Sequence, residues 1–309
     1  MSQSAAVLTA GAVLLAGHFF RRSASTLTAG AGAAAASSSA KSAPKAGPGQ
    51  HVNKFGDVED TANLRVADWA RRWEKTQTGW HKSTVHASLA QFQPSLASAA
   101  AAKAVREGTA LASSAPTVLV PLCGKSVDLV WLLHQGYRVV GIEIVTQAII
   151  DFFYEQAETL PSFTAEKIAG TSIYRYTAGP QGRLQILQAD IYSPKLTREM
   201  LGVPNGFDFI WDRASLVALN PHQRATYAQL MDRLLAPRGQ QLLNTFTYDQ
   251  SLMHGPPFSV EPSAVAELYS DAAGYTRKVI AESTFALEGG GGPGEVKAVM
   301  RDWIIERKQ

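Results

Sequence analysis

The segment Val118–Ile144, VLVPLCGKSVDLVWLLHQGYRVVGIEI, constrains the fold of this chain more than any other. It begins as a β-rich run, breaks at residues 121–125, continues with helical spacing and returns to an apolar run that ends on Glu143. Such a strand–helix–strand unit belongs to a parallel sheet. Its turn has one glycine, Gly124, which lets the backbone approach a ligand closely. The turn lacks G-x-G-x-x-G, so a pyrophosphate ligand is disfavoured.

Strand and helix patterns alternate along the rest of the chain. Strands are predicted at Thr117–Pro121, Arg138–Glu143, Leu184–Leu187, Phe207–Trp211, Gln240–Thr245, Tyr275–Glu282 and Val296–Ile305. Within Asp68–Leu89 a helix followed by a polar turn is predicted, with a break in the pattern at Thr76–Gly79. Further helices are predicted at Ser95–Ala115, Ser126–Gln135, Thr146–Thr159, Pro221–Leu235 and Glu261–Tyr269. The alternation predicts an α/β fold with a mostly parallel sheet of seven strands and helices on both faces. A glycine-rich connector, not a helix, joins the last two strands, which predicts one antiparallel edge strand.

The N-terminus differs in composition from the rest. Residues 1–56 contain no Asp or Glu, and the apolar run Ala5–Phe20 is followed by Arg21 and Arg22. This run is too short for a secure membrane span. We expect residues 1–56 to be a disordered extension and residues 57–309 to be the folded domain. An acid-poor, Ser-rich, Arg-bearing start is typical of a transit peptide and predicts a mitochondrial location. The alternative is that residues 1–56 are a tail without a targeting role and that the protein is cytoplasmic.

Charge and cysteine content narrow the possible partners. The net charge of +3 on 309 residues, without a dense Lys/Arg cluster, argues against nucleic acid as the main partner. The single cysteine excludes an internal disulfide and a metal site built on cysteines. We expect a monomer that binds a small molecule, with no metal ion and no stable membrane span.

The predicted strand ends carry candidate ligand contacts, because open α/β sheets bind ligands beyond the carboxyl ends of their strands. Glu143 suits ribose hydroxyls, although a surface acid near a loop is the alternative. Asp190 and Ile191 suit an adenine ring, or Asp190 only forms a turn. Arg213 could form an ion pair with Asp212 that shapes the loop, or a fork on a ligand carboxylate.

Two side chains of the first turn are expected to be structural. Cys123 has no histidine partner that can be inferred from the sequence, so a small apolar filler is favoured over a nucleophile. Lys125 is expected to face solvent at the start of the following helix. Neither is predicted to take part in chemistry.

Several blocks together resemble a known family. They are RWEKTQTGWH (Arg72–His81), PLCGKSVDLVWL (Pro121–Leu132), VVGIE (Val139–Glu143), FDFIWDRASLVALNP (Phe207–Pro221) and GPPFSV (Gly255–Val260). In order and spacing they resemble the signature blocks of the thiopurine S-methyltransferase family, from about Asp68 to the C-terminus. The resemblance implies a class I methyltransferase (Rossmann-like) fold that uses S-adenosylmethionine and releases S-adenosylhomocysteine.

The resemblance also implies roles for individual residues. The segment from Trp69 to Trp80 corresponds to the element that covers the cofactor, and Trp80 to an aromatic position, usually Phe, that faces the acceptor. The other positions implied to contact the cofactor are Trp73, Leu122, Glu143, Asp190, Ile191 and Arg213.

The chemistry of methyl transfer is compatible with these residues. Trp69 and Trp73, four residues apart, share a helical face and could stabilise a sulfonium by cation–π attraction, although core packing is the commoner role. In-line transfer to a partly ionised thiol needs no dedicated nucleophile–base pair, so Asp212 or His81 would assist deprotonation at most.

We therefore expect methylation of a small thiol. The alternatives are methylation of selenium or tellurium compounds or halides, and a binding protein without turnover. A nicotinamide dehydrogenase is disfavoured by the single-glycine turn.

Overall fold

The computed structural model describes residues 50–53, 55–94, 115–287 and 296–308. The strands are β1 His51–Val52, β2 Val58–Glu59, β3 Thr117–Val120, β4 Arg138–Glu143, β5 Phe163–Lys167, β6 Tyr174–Ala178, β7 Leu184–Gln188, β8 Phe207–Asp212, β9 Leu235–Thr247, β10 Tyr275–Leu287 and β11 Val296–Arg307. The helices are α1 Val66–Glu74, α2 at residues 87–94, α3 Asp128–His134, α4 Thr146–Glu155, α5 Pro221–Leu234 and α6 Pro262–Leu268.

A nine-stranded sheet in the order β10-β11-β9-β8-β3-β4-β7-β6-β5 organises the fold. The five central strands, β9, β8, β3, β4 and β7, are parallel. An antiparallel hairpin extends the sheet at each edge, β10–β11 at one and β5–β6 at the other. The predicted class I methyltransferase architecture is confirmed.

The predicted count of seven strands was too low, and the predicted antiparallel strand at one edge, β11, is accompanied by a second antiparallel strand, β6, at the other edge. All seven predicted strands are present, but β5 and β6 were missed and antiparallel pairing occurs at both edges. The side chains of β5 are half-buried or exposed throughout. A strand that buries neither face carries no apolar run, so its sequence lacks the usual signal.

The helices agree with the predictions only in part. The break predicted at Thr76–Gly79 is present, since α1 ends at Glu74 and the φ of Thr76 is +55°. Helix α2, at residues 87–94, was not predicted as a separate helix. Helix α4 ends at Glu155, four residues before the predicted end. Of the predicted helix Ser95–Ala115, only Ala115 is described and it is not helical; residues 95–114 and the connector Gly289–Gly294 lie outside the described residues.

Apolar clusters cover both faces of the parallel sheet. Val118 and Val120 of β3 pack into one cluster, whereas Leu119 between them packs into the other. Successive side chains of a strand point to opposite faces, so a strand buried on both faces is continuously apolar. The run VLV at residues 118–120 has this composition.

A small antiparallel pair precedes the main sheet. Strands β1 and β2 pair across residues 51–59, so this unit straddles the boundary expected at residue 57. Glu59 forms a buried ion pair with Arg72 of α1, with Nη2 and Oε2 2.6 Å apart. The unit is thus joined to the helix that follows it, and residues 1–49 lie outside the described residues. Within the part of the chain that is described, no helix has the length and apolarity needed to cross a bilayer.

Candidate active site

A cavity of about 840 Å³ opens at the carboxyl ends of the parallel strands. The side chains or backbone of all nine predicted binding residues line it. They are Trp69, Trp73, Trp80, Leu122, Gly124, Glu143, Asp190, Ile191 and Arg213. These residues come from α1, the following loop and the ends of β3, β4, β7 and β8. The volume lies within the range of roughly 300–1,000 Å³ that is usual for small-molecule sites.

The turn after β3 brings backbone close to the cavity. Leu122 and Gly124 both have left-handed backbone conformations, with φ of +44° and +52°. The amide of Gly124 donates to Oε2 of Glu143 over 2.9 Å. A non-glycine residue with positive φ is strained, and such strain is common at ligand sites. The turn and the end of β4 therefore form one connected unit.

Glu143 is held in place by backbone amides at the end of β4. Its Oε1 accepts from the amide of Val145 at 2.7 Å, while Oε2 accepts from Gly124. Burial raises the pKa of Glu143, and the backbone amides of Val145, Gly124 and Ile144 oppose that rise. Each carboxylate oxygen has a second lone pair, so Glu143 can still accept bonds from two ligand hydroxyls.

Three tryptophans form one wall of the cavity. The ring of Trp80 meets Trp69 and Trp73 edge-on, with centroids 5.6 and 5.8 Å apart. The guanidinium of Arg72 lies over the ring of Trp69 at 5.1 Å. Trp80 therefore lies in the same aromatic cluster as the two tryptophans assigned to the cofactor.

Asp190 and Ile191 follow β7 and form the far side of the cavity. Oδ1 of Asp190 accepts from the amide of Tyr192 at 2.9 Å, which closes a turn. Asp190 is exposed, whereas Ile191 is buried. Asp190 thus forms the turn, which leaves its second carboxylate oxygen free to accept from a ligand at the cavity edge.

Arg213 presents a buried donor to the cavity. Its Nε has no hydrogen-bond partner among the described residues. Burial lowers the pKa of Arg213, and Asp128 opposes that shift. A buried N–H without a partner is costly, so this site is suited to an anionic or hydrogen-bonding ligand atom.

The ion pair considered between Arg213 and Asp212 is not formed in the described structure. Oδ2 of Asp212 accepts from the hydroxyl of Tyr227 at 2.8 Å and from Nε2 of Gln241 at 2.9 Å. The two neighbours at a strand end point to opposite faces, so only Arg213 reaches the cavity. Burial raises the pKa of Asp212 to about 6. Its fully buried carboxyl does not line the cavity, so Asp212 is no longer a candidate base.

Two other expectations concerned the first turn. Lys125 does not face solvent freely, because its ammonium pairs with Oε1 of Glu155 at 2.5 Å and its side chain is 13% exposed. Cys123 is buried beside Gly141, and burial, followed by the charge of Glu143, raises the pKa of its thiol. A protonated, enclosed thiol is a poor nucleophile, which agrees with the filler role.

His81 lines the cavity beside these groups. Its Nε2 is 3.9 Å from Oε2 of Glu155. Burial lowers the pKa of His81, and the charge of Lys125 lowers it further. The imidazole is therefore neutral at neutral pH and able to accept a proton.

No sequence pattern predicted that the first described strand reaches the cavity. His51 lines its outer part, and its ring stacks on that of His254 with centroids 4.4 Å apart. Phe246 and Phe285, which also line it, were not identified because both look like ordinary strand residues. The GPPFSV block marked the loop at Gly255, but not the histidine before it.

Comparison with known proteins identifies the family. The model of the thiopurine S-methyltransferase (TPMT) family matches residues 64–303. The chain belongs to the thiopurine S-methyltransferase family. Its cofactor is S-adenosylmethionine, as the family resemblance implied, and it is an S-adenosylmethionine-dependent methyltransferase. The match begins after β1 and β2.

Relatives from bacteria and vertebrates are similar over most of their length. A thiopurine S-methyltransferase of Xanthobacter autotrophicus is 36% identical over 240 residues, covering 77% of this chain and 97% of its own. A probable thiopurine S-methyltransferase of Danio rerio is 32% identical, covering 67% and 80%. Among solved structures, a methyltransferase from Anabaena variabilis covers 80% of this chain and 96% of its own at 14% identity, with a TM-score of 0.45.

The cavity suits the cofactor of this methyltransferase on its own geometry. An added Cβ at Gly124 would lie 3.1 Å from Trp73, so a side chain there would require the indole to shift by a few tenths of an ångström. The held carboxylate of Glu143 suits ribose hydroxyls, and the unpartnered Nε of Arg213 suits an anionic group. All three face one enclosed space.

Proposed function

We propose that this methyltransferase transfers the methyl group of S-adenosylmethionine to a small, flat thiol. The observation that carries the proposal is the mixed lining of one cavity, which we divide into a cofactor half around Glu143 and Asp190 and an acceptor half lined by rings. The half around Glu143 and Asp190 is polar and supplied with fixed hydrogen-bonding groups. The other half is aromatic and apolar, which suits an uncharged ring more than a polar acceptor.

The apolar half is lined by rings and a thioether. Phe246 and Phe285 meet edge-on with centroids 5.1 Å apart, and Met253 and Trp80 line the same cavity. Aromatic rings and thioethers are polarisable and make favourable contacts with sulfur and with other rings. This composition favours an aromatic thiol over a strongly hydrated aliphatic acceptor.

Activation of the acceptor requires little from the protein. When bound, S-adenosylmethionine supplies a methyl group already activated on a sulfonium. A thiol is partly ionised near neutral pH, whereas a hydroxyl would need a strong base at the site. Neutral His81, which lines the cavity, is the group proposed to take the proton that the thiol loses.

The experiment is turnover by the full-length protein with matched acceptors. Thiophenol and 6-mercaptopurine should be methylated, and 2-mercaptoethanol should react with a lower kcat/KM. Phenol and aniline, which replace the sulfur by oxygen and nitrogen, should give no product. Benzeneselenol and iodide test the related soft acceptors. Methylation of iodide with no activity on any thiol would contradict the proposal, as would binding of S-adenosylhomocysteine without turnover of any acceptor.

A further inference from the structure

Part of the cavity lining comes from residues 51–53 and 55–59, here called the strap. It contains β1 and β2, and His51, Val52, Asn53, Phe55 and Glu59 line the cavity. The strap precedes residue 64, where the match to the family model begins. Its residues therefore lie outside the matched region.

Two acidic residues anchor the strap to α1 and the loop after it. Both oxygens of Glu59 bind Arg72, with Nε to Oε1 at 3.0 Å and Nη2 to Oε2 at 2.6 Å. Asp57 accepts from Lys75 at 2.5 Å and from Gln77 at 2.8 Å. Both Glu59 and Arg72 are buried. A bidentate buried pair fixes orientation as well as position, so the strap is set at one angle to the cavity.

A stack of two histidine rings, His51 and His254, connects the strap to the loop at Gly255. The His51 ring stacks on His254 at an interplanar angle of 29° with centroids 4.4 Å apart. His254 directly precedes Gly255, whose backbone has a φ of +76° and packs tightly on Phe258. The stack thus joins the anchored strap to a tightly constrained loop across the mouth of the cavity.

We propose that the stacked pair His51–His254 is a specificity determinant that closes the acceptor mouth and rejects bulky acceptors. This inference rests on the proposed thiol methylation. His51 and His254 are positioning residues, since nothing places them at the reacting atoms. Their removal should widen the acceptor range without weakening the cofactor half, which lies at Glu143 and Gly124.

The stack should also respond to acid. Burial lowers the pKa of His51, and the charge of His254 lowers it further. The negative charges of Glu59 and Asp60 oppose this lowering of the pKa, whereas the positive charge of Arg72 in α1 adds to it. Protonation of the His51 ring places a charge in the partly buried stack, so closure weakens as the pH falls below the lowered pKa of His51. Discrimination against bulky acceptors should then decline in acid.

The test compares kcat/KM for 2-naphthalenethiol and thiophenol in the full-length protein. In His51→Ala and in His254→Ala the ratio should rise roughly two- to tenfold, the range expected for loss of one aromatic pair. His51→Phe, which keeps a stacking ring that cannot titrate, should restore discrimination and remove its pH dependence. His222→Ala changes an exposed histidine outside the cavity and should leave the ratio unchanged. Titration with S-adenosylhomocysteine should give the same affinity in all forms.

A second readout does not depend on turnover. Acrylamide should quench tryptophan fluorescence more strongly in both alanine variants than in wild type or His222→Ala, because Trp69 and Trp80 line the cavity. An unchanged acceptor ratio with unchanged quenching overturns the inference. Equal losses of acceptor and cofactor affinity also overturn it, because the strap would then serve the whole cavity. If wild type methylates no thiol, the proposed function fails, and the quenching comparison alone decides whether the stack closes the mouth.

Discussion

The indole of Trp73 lies against Gly124, where an added Cβ atom would be 3.1 Å from Cζ2 of the ring. Gly124 also donates its amide to Glu143. One glycine therefore joins the covering helix α1, the turn after β3 and the carboxylate at the end of β4. The position of the tryptophan wall depends on the absence of a side chain at this turn.

Gly124→Ala should weaken cofactor binding as well as folding. Alanine in a left-handed conformation costs about 1–2 kcal/mol, and its methyl group would displace Trp73. Gly136→Ala is the matched control, because Gly136 also has positive φ but an added Cβ there meets nothing within 4 Å. Melting temperatures should fall in both variants, whereas calorimetric affinity for S-adenosylhomocysteine should fall only in Gly124→Ala. Equal affinity in the two variants would show that the contact with Trp73 does not matter for the cofactor.

Glu143→Ala should strongly reduce the affinity for S-adenosylhomocysteine. Two hydrogen bonds from ribose hydroxyls to a charged acceptor are worth roughly 3 kcal/mol, or about a hundredfold in Kd. Glu166→Gln, on the exposed hairpin β5–β6, is a control that should bind normally. Circular dichroism must show a folded variant, since Glu143 also accepts two backbone amides. A folded variant with wild-type affinity would disprove the ribose assignment.

Trp80→Ala should affect the acceptor more than the cofactor. Loss of one stacking contact, worth on the order of 1 kcal/mol, raises the acceptor KM about fivefold. Because Trp80 also supports Trp69 and Trp73, a smaller loss of cofactor affinity should accompany it. Trp80→Phe should keep cofactor binding and gain activity on bulkier thiopurine-like acceptors. Steady-state kinetics measures the acceptor KM, and a parallel titration with S-adenosylhomocysteine measures the cofactor affinity. Equal losses in Trp80→Ala would make Trp80 part of the cofactor cover alone.

Asp212→Asn should leave turnover nearly unchanged and alter the pH dependence of stability. Burial raises the pKa of Asp212 from 3.8 to about 6 in the folded protein. Between those values the unfolded chain releases a proton that the folded chain keeps, so wild type loses stability as the pH rises through this window. The asparagine variant cannot titrate and should lack that loss. Urea unfolding at several pH values measures the difference. A large fall in kcat at unchanged stability would instead make Asp212 the base.

Removal of residues 1–49 should leave melting temperature, cofactor affinity and turnover unchanged. Removal of residues 1–56 deletes β1 and His51, so it should relax acceptor discrimination as His51→Ala does.

A fluorescent protein fused to residues 1–56 should enter mitochondria, because this segment has the composition of a transit peptide. A diffuse cytosolic signal would instead indicate a tail without a targeting role.

The sequence by itself determined the parallel core and the cofactor side of the cavity. The interiors of strands such as β3 and β4 are apolar because helices cover both faces of the sheet, and this pattern is local. Glu143 and Arg213 were identified because they lie where such strands end, and strand ends of a parallel sheet converge in space. Trp73 and Trp80 were identified because the order and spacing of the sequence blocks resemble those of the family.

Only the tertiary structure decided which groups meet across long separations. Asp212 and Arg213 are neighbours in sequence, but successive side chains of a strand point to opposite faces. The carboxyl of Asp212 therefore meets Tyr227, whereas the side chain of Arg213 reaches the cavity. His51 and His254 are 203 residues apart, as their numbers show, and neither carries a local signal that predicts their stack. Burial and backbone conformation can be inferred from the local sequence. A contact between segments that are distant in sequence depends on the arrangement of the whole sheet.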